Sequence, residues 1–372
     1  MKFAKNKLIK NHLVMSKVHN FSAGPSILPA EVMLQAAEAV KELDNTGLSL
    51  IEMSHRSKEF VALMEEARNL VKELLNVPDN YSVLFLQGGA SLGFLKTAHN
   101  FMKLENGKAA YLNTGMWSKK AIKEAKLLGE VDVVGSSEDK NFNYIPANYP
   151  IPSDCDYLHL TSNNTIYGTQ IKKFPVSRIP MICDMSSDIF SRKVNVSDFA
   201  MIYAGAQKNL GPAGTTIYIV DKNLLGKTGR NIPSMLDLQV HIDKDSMYNT
   251  PPVFATYTSL LTLRWLKGNG GIEAMEAKNE KKAKLLYTEI DNNPLFEGTA
   301  NKTDRSNMNV TFVLKDEANK DEFDKMCAAK KLSGLKGHRS VGGYRASIYN
   351  AMPIESVQVL VETMKEFATQ YA

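Results

Sequence analysis

The chain of 372 residues carries 45 Lys and Arg against 40 Asp and Glu, a net charge of +5. The whole excess sits in residues 1–17, where Lys2, Lys5, Lys7, Lys10 and Lys17 have no acidic residue among them; the remainder is balanced, which excludes an electrostatic footprint for nucleic acid. The length suits two domains of ordinary size and no apolar run is long enough to cross a bilayer, so a soluble globular protein is expected.

Residues 1–17 lack acids and arginine, and their apolar stretch is too short for a signal-peptide core, so a disordered leader is expected, with Met15 as a candidate start. Residues 20–29, bracketed by Pro25 and Pro29, read as a turn. From Ser57 onward, Phe60, Leu63, Met64, Ala67, Leu70, Val71, Leu74 and Leu75 recur at helical spacing, with Ser57 as N-cap. His55 and Arg56 therefore lie just ahead of a helix N-terminus, where anions are favoured; a solvated surface pair is the bland alternative.

Residues 81–86 form a strand, 87–93 a glycine-rich loop and 94–102 a helix, an order that makes a phosphate cradle from unobstructed backbone N–H groups. Gly93 is followed by Phe94 and Leu95, where a nucleotide-binding P-loop needs lysine and a hydroxyl, so a cofactor phosphate fits better. Another strand at 109–113 turns through Trp117 into a helix at 118–128, and a strand at 157–161 feeds the loop 162–168. Short strands follow at 181–184, 199–203 and 215–220, and the alternation predicts a largely parallel sheet with helices on both faces. Residues 226–245 are polar and read as a surface excursion, and Asn249-Thr-Pro-Pro252 is a rigid turn before a helix at 253–266. The glycine-rich stretch 268–271 marks a domain boundary; beyond it come helices at 272–292, 321–330 and 354–370, a strand at 308–314, and a basic glycine-rich loop running into a strand over 335–349.

Within this frame Lys208 stands out, on a tight turn between two strands and among Gly205, Gly211, Pro212 and Gly214. A lysine held there and partly desolvated has its amine pKa pushed down, the condition for covalent chemistry with a carbonyl. Asp184 ends a buried strand one crossover earlier, at the sheet edge where open α/β folds bind ligands. A pyridoxal phosphate enzyme needs this pair: a lysine to hold the aldehyde and a carboxylate to keep the pyridine nitrogen protonated. Cys155, Cys183 and Cys327 are odd in number, far apart and outside metal-ligand spacing, so a reducing, cytoplasmic setting and no metal site are expected. Cys327 shares a helical face with Phe323 and Met326 and reads as core.

The clusters Asn20-Phe-Ser-Ala-Gly-Pro25, Ser54-His-Arg56, Tyr203-Ala-Gly-Ala-Gln-Lys-Asn209, Asn249-Thr-Pro-Pro252, Lys336-Gly-His-Arg339 and Gly343-Tyr-Arg-Ala-Ser347 resemble the phosphoserine aminotransferase family, in the order that family shows. The resemblance runs from about His19 to the C-terminus. It implies the type I pyridoxal phosphate fold, an α/β architecture with a large cofactor domain over 18–270 and a smaller C-terminal α/β domain over 271–372. It implies amino transfer between L-glutamate and 3-phosphohydroxypyruvate, giving 2-oxoglutarate and O-phosphoserine; many bacterial members also aminate 4-phosphohydroxythreonine's oxo precursor for pyridoxine.

By the same resemblance, the 20–29 loop covers the site. Ala90 and Ser91 bind the cofactor phosphate, Trp117 stacks on the ring, and Thr165 bonds the ring hydroxyl, with Ser186 and Gln207 beside Asp184 and Lys208. Asn249 and Thr250 reach the partner subunit's cofactor, which implies a homodimer with shared sites. Arg345 binds the substrate's α-carboxylate, and His55, Arg56, His338 and Arg339 meet its distal anionic group. Some members carry arginine where Ser91 stands, so anion recognition here draws on other residues. The rival readings are another class V enzyme, of alanine-glyoxylate aminotransferase or desulfurase type, and a non-catalytic binding protein on this fold.

Overall fold

The structure is a computed structural model that describes residues 18–372; the expected leader lies outside the described residues. In chain order the first unit contains α1 (Ala30–Lys41), α2 (Lys58–Leu75), β1 (Tyr81–Leu86), α3 (Gly89–Phe101), β2 (Lys108–Asn113), α4 (Met116–Ala125) and β3 (Glu130–Ser136). It continues with β4 (Tyr157–Thr161), β5 (Met181–Asp184), β6 (Met201–Gly205), β7 (Thr216–Asp221), α5 (Leu238–Ile242) and α6 (Val253–Gly268). The seven strands form one sheet in the order β1-β7-β6-β5-β4-β2-β3, parallel from β6 to β3, with β7 running against both of its neighbours.

Helices cover both faces, which is why β4, β5 and β6 are buried along their whole length and read as apolar runs without alternation. On one face Val32, Phe60, Met64 and Leu260 pack from α1, α2 and α6. On the other, Phe94, Ala98, Phe101, Ala121 and Ile122 pack from α3 and α4. Such three-layer packing leaves the strands' C-terminal edge open between the helices, and that edge carries Thr161, Asp184 and the turn after Gly205.

The second unit begins with α7 (Gly271–Asn292), followed by β8 (Phe296–Gly298), β9 (Asn309–Leu314), α8 (Lys320–Ala329), β10 (Tyr344–Ser347) and α9 (Ile354–Tyr371). Strands β8, β9 and β10 make an antiparallel sheet under these helices. Helix α7 joins the two cores: Ile272 and Met275 at its start pack into the first, Ala283, Leu286 and Ile290 into the second. The N-terminal stretch crosses the 268–271 boundary, since His19–Asn20 pairs with Leu332–Ser333 and Phe21 is buried in the second core. Residues 20–29 thus start on the C-terminal unit and finish over the sheet edge of the first.

Two stretches differ from the sequence reading. Helix α3 starts at Gly89 rather than Phe94, because Gly88 takes a left-handed conformation (φ 102°) that turns the chain into the helix at once. Residues 226–245 are not a free excursion: Leu238 is buried against the α3 face, and Asn100 binds Leu236 O and Leu238 N through its amide. Lys96 reaches Met235 O from the same helix. The polar composition of that stretch hides an attachment made by two polar side chains of a distant helix.

Candidate active site

The turn after β6 puts Lys208 at the sheet edge. Ala206 N binds Thr215 O, and Leu210 N and Gly211 N both return to Ala206 O, closing the turn. The 20–29 loop straps it from above, with Ser26 N donating to Gln207 O (2.9 Å) and Ser26 Oγ to Lys208 O (2.6 Å). A Cβ on Gly24, whose φ is +148°, would stand 3.5 Å from Lys208 Cγ, so the loop's backbone lies directly on the lysine stem. From behind, Asn209 donates to Ile189 O and accepts from Asn350 N.

Lys208 faces a cavity of about 420 Å³. Burial pushes its amine pKa down to about 8; the Asp184 charge opposes that fall and Arg345 assists it. Asp184 lies in register with Thr161 on β4 and Tyr203 on β6, buried at the end of β5. Its Oδ1 accepts from Ser186 N (2.9 Å) and Ser186 Oγ (2.6 Å). Burial nonetheless raises its carboxyl pKa, outweighing those bonds and Lys208. A carboxylate desolvated to that degree gains most from a cationic N–H placed beside it.

The opposite wall is Trp117, whose Nε1 donates to Thr165 Oγ1 (3.2 Å) and whose ring centre is 5.8 Å from Lys208 Nζ. Arg345, on β10, enters from the second unit and donates to Thr165 O (3.2 Å). Its Nε is buried without a partner, it makes no ion pair among the described residues, and burial lowers its pKa. At the third side lies the start of α3. That helix has no side-chain N-cap, and Gly89, Ala90 and Ser91 in its first turn line the cavity, so free N–H groups and the positive dipole end meet there.

Of the residues expected from sequence, the cavity is lined by Ala90, Ser91, Trp117, Thr165, Asp184, Ser186, Gln207, Lys208, His338 and Arg345. Five others stand outside it within one chain: His55 and Arg56 before α2, Arg339 on the exposed loop beyond His338, and Asn249 with Thr250. The last two bind Gln87, through Asn249 Nδ2 to Gln87 Oε1 (3.3 Å) and Gln87 Nε2 to Thr250 O (2.5 Å). Among the described residues no cluster of three or more His, Cys, Asp or Glu could hold a metal.

The sequence reading missed Phe94, Thr161 and Asn163 as lining residues, and Lys120 beside Trp117. Lys120 Nζ stands 4.6 Å from the Trp117 ring centre, and its charge, after burial and the charges of Arg345 and Arg339, lowers the His338 pKa. The i, i+3 spacing of Trp117 and Lys120 on one helix is the signal that could have found it.

These features suit pyridoxal phosphate. An uncapped helix end matches its phosphate, the orphaned Thr161 Oγ1 beside Asp184 awaits a polar partner, and the Lys208 amine, its pKa lowered by burial, matches its aldehyde. The aminotransferase class-V family model matches residues 18–360. A phosphoserine aminotransferase from Flavobacterium psychrophilum is 64% identical, over 94% of this chain and 98% of that protein. The solved phosphoserine aminotransferase from Bacillus circulans subsp. alkalophilus is 43% identical with a TM-score of 0.93, covering 96% of this chain and 100% of that one. The one from Trichomonas vaginalis, solved with pyridoxal phosphate bound, is 38% identical with a TM-score of 0.89, covering 94% and 100%.

The chain belongs to the class-V aminotransferases and, within them, to the phosphoserine aminotransferase family. It is a pyridoxal phosphate-dependent transaminase, with the α/β fold of the type I enzymes.

Proposed function

We propose that the cavity around Lys208 moves an amino group between L-glutamate and 3-phosphohydroxypyruvate, in the residue roles that follow. The carrying observation is that Lys208, Asp184 and the α3 N-terminus converge on one cavity from three separate segments. Bound there, pyridoxal phosphate supplies a ring that accepts the electron pair left at the substrate's α-carbon. Lys208 Nζ would anchor the cofactor and, once displaced by substrate, would carry the proton from the substrate's α-carbon to the carbon on the other side of the transferred nitrogen. Asp184 holds a proton at the ring nitrogen. The α3 N–H groups, with Ser91, take the phosphate, and Trp117 and Thr165 fix the ring plane. Arg345, desolvated and unpaired, clamps the α-carboxylate that all the substrates share.

The distal group is met by His338 and Arg339, with His55 and Arg56 from a second copy of the chain, and Asn249 and Thr250 complete the partner's phosphate site. Support for a homodimer comes from the apolar side chains exposed on α1 and the loop behind it. Met33 is 54% exposed, Leu34 45%, Leu48 49% and Ile51 62%, all on the segment that leads to His55. We place the enzyme in the cytoplasm, in serine biosynthesis. No described helix is long and apolar enough to cross a membrane. The desulfurase reading loses its nucleophile, because burial pushes the Cys327 thiol up to about 12. Visible spectra test the assignment: glutamate and O-phosphoserine should each shift the bound cofactor's absorbance to its amine form. A response to neither would overturn it.

A further inference from the structure

The cavity's anion-binding Arg345 and its lysine belong to different units, so something must set the distance between them. Asn309, on β9, is fully buried at the seam. Its Oδ1 accepts from Asn163 Nδ2 (2.8 Å), and Asn163 lines the cavity on the first unit's side and also donates to Ser187 Oγ (2.8 Å). Its Nδ2 donates to Ser347 Oγ (2.9 Å), directly opposite in the β9–β10 register and two residues beyond Arg345. The same Nδ2 donates to Tyr349 OH (3.1 Å), which in turn donates to Ala23 O (2.7 Å), next to the Gly24 that lies on Lys208.

One carboxamide therefore ties together the first unit's wall, the strand of the arginine and the loop over the lysine. The chemistry of the position requires an amide: it accepts once and donates twice, which neither a carboxylate nor an aliphatic side chain does. All of these bonds except the part-buried one to Ala23 O are buried, where an orphaned partner is costly and a satisfied network is stiff.

We propose that Asn309 is a positioning residue for the known reaction, holding Arg345 and the Ala23–Gly24 loop at a fixed offset from Lys208 and thereby governing capture of the substrate's α-carboxylate. The proposal rests on Arg345 being the carboxylate clamp. No cofactor contact is assigned to Asn309, so its loss should act on substrate affinity and leave the bound cofactor's spectrum alone.

The test uses the holoenzyme. Tyr349→Phe removes the hydroxyl that passes the tie from Asn309 to Ala23, and Asn309→Ala removes the hub. KM should rise for glutamate and O-phosphoserine alike, by about three- to tenfold in Tyr349→Phe, with kcat and the resting cofactor spectrum unchanged. Asn309→Ala should show the same split more strongly, and if it fails to fold the tyrosine variant decides. Asn293→Ala is the control for plain destabilisation: its buried amide binds Glu289 and Met364 O inside the second core, away from the cavity. It should lower the melting temperature without moving KM. An unchanged KM in Tyr349→Phe, or an equal rise in the control, overturns the proposal. Arg345→Ala separates the two layers of argument: if that variant keeps its KM, the carboxylate reading falls, whereas a raised KM there with a normal Tyr349→Phe sinks the positioning role alone.

Discussion

The floor of the cavity and its rim are built by opposite means. The floor consists of strand ends: Asp184 and Thr161 sit in register on neighbouring strands, and Lys208 follows the strand after them. Each sits on a strand end of the one sheet or on the turn that follows it, and each faces the cavity within one chain. The rim is made of loops and of the second unit. Arg345 and His338 reach the cavity, Arg339 is exposed next to His338 without lining it, and His55, Arg56, Asn249 and Thr250 stand elsewhere on the same chain. The reaction centre is thus a property of the fold, while in the proposed reading recognition of the substrate's far end depends on how two copies of the chain assemble.

Breaking the floor should have the largest effect. Lys208→Ala removes both anchor and proton carrier, and turnover should drop by at least about four orders of magnitude with the fold intact by circular dichroism. Asp184→Asn keeps the shape but cannot hold the ring proton as a charge-assisted pair, so kcat should fall by about ten- to a hundredfold. A near-normal kcat in either variant would reassign the floor.

The assembly argument is tested by mixing subunits. Lys208→Ala and Thr250→Ala homodimers should each be inactive or poor, while a mixture allowed to exchange should regain one intact site per heterodimer. Exchange without recovery would place Thr250 in its own subunit's site.

At the rim, Arg345→Ala should weaken glutamate and phosphoserine alike, because both carry the α-carboxylate. Arg339→Ala should harm phosphoserine more, since a phosphate bears up to two charges. One charge-assisted bond corresponds to about tenfold to a hundredfold in kcat/KM. Single-turnover absorbance in each half-reaction reads the difference, and equal losses in Arg339→Ala would remove the division of labour.

The same contrast explains what was legible in the sequence. Lys208 and Asp184 could be found because their setting is local: a short apolar strand, a glycine-punctuated turn and another strand announce themselves within a dozen residues. The cradle was legible as chemistry but misplaced as structure, because two glycines in a row look like a loop and here begin a helix. Asn309, Asn163 and Tyr349 carry no local signal at all. An asparagine at the start of a strand has an ordinary appearance until the two units close on it. Leu238 and its neighbours were hidden in the same way, since their partners Lys96 and Asn100 lie on a helix far back in the chain.

The smallest expected effect concerns a charge that the mechanism leaves unused. Lys282, on α7, is buried and donates to Ile348 O (2.9 Å) and Tyr349 O (2.6 Å), just beyond the strand that carries Arg345. No carboxylate pairs with it among the described residues, so burial pulls its amine down to about 7 from the usual 10.5, and the neighbouring Lys278 charge adds to that fall. Between those two pH values the unfolded chain holds the proton that the folded protein has released. Stability from this group therefore rises with pH across the window, and the cost of burying the charge is complete only below about pH 7. A neutral amine still donates to both carbonyls, so the strand stays tied on the alkaline side. Lys282→Met removes the titration along with the bonds. Chemical denaturation at pH 7, 8 and 9 should then show wild type gaining on the variant by up to about 1.4 kcal/mol per pH unit, the limit for one proton. Parallel stability curves for the two proteins would show that Lys282 stays charged in the fold, and that the seam beneath Arg345 is wetter than its packing indicates.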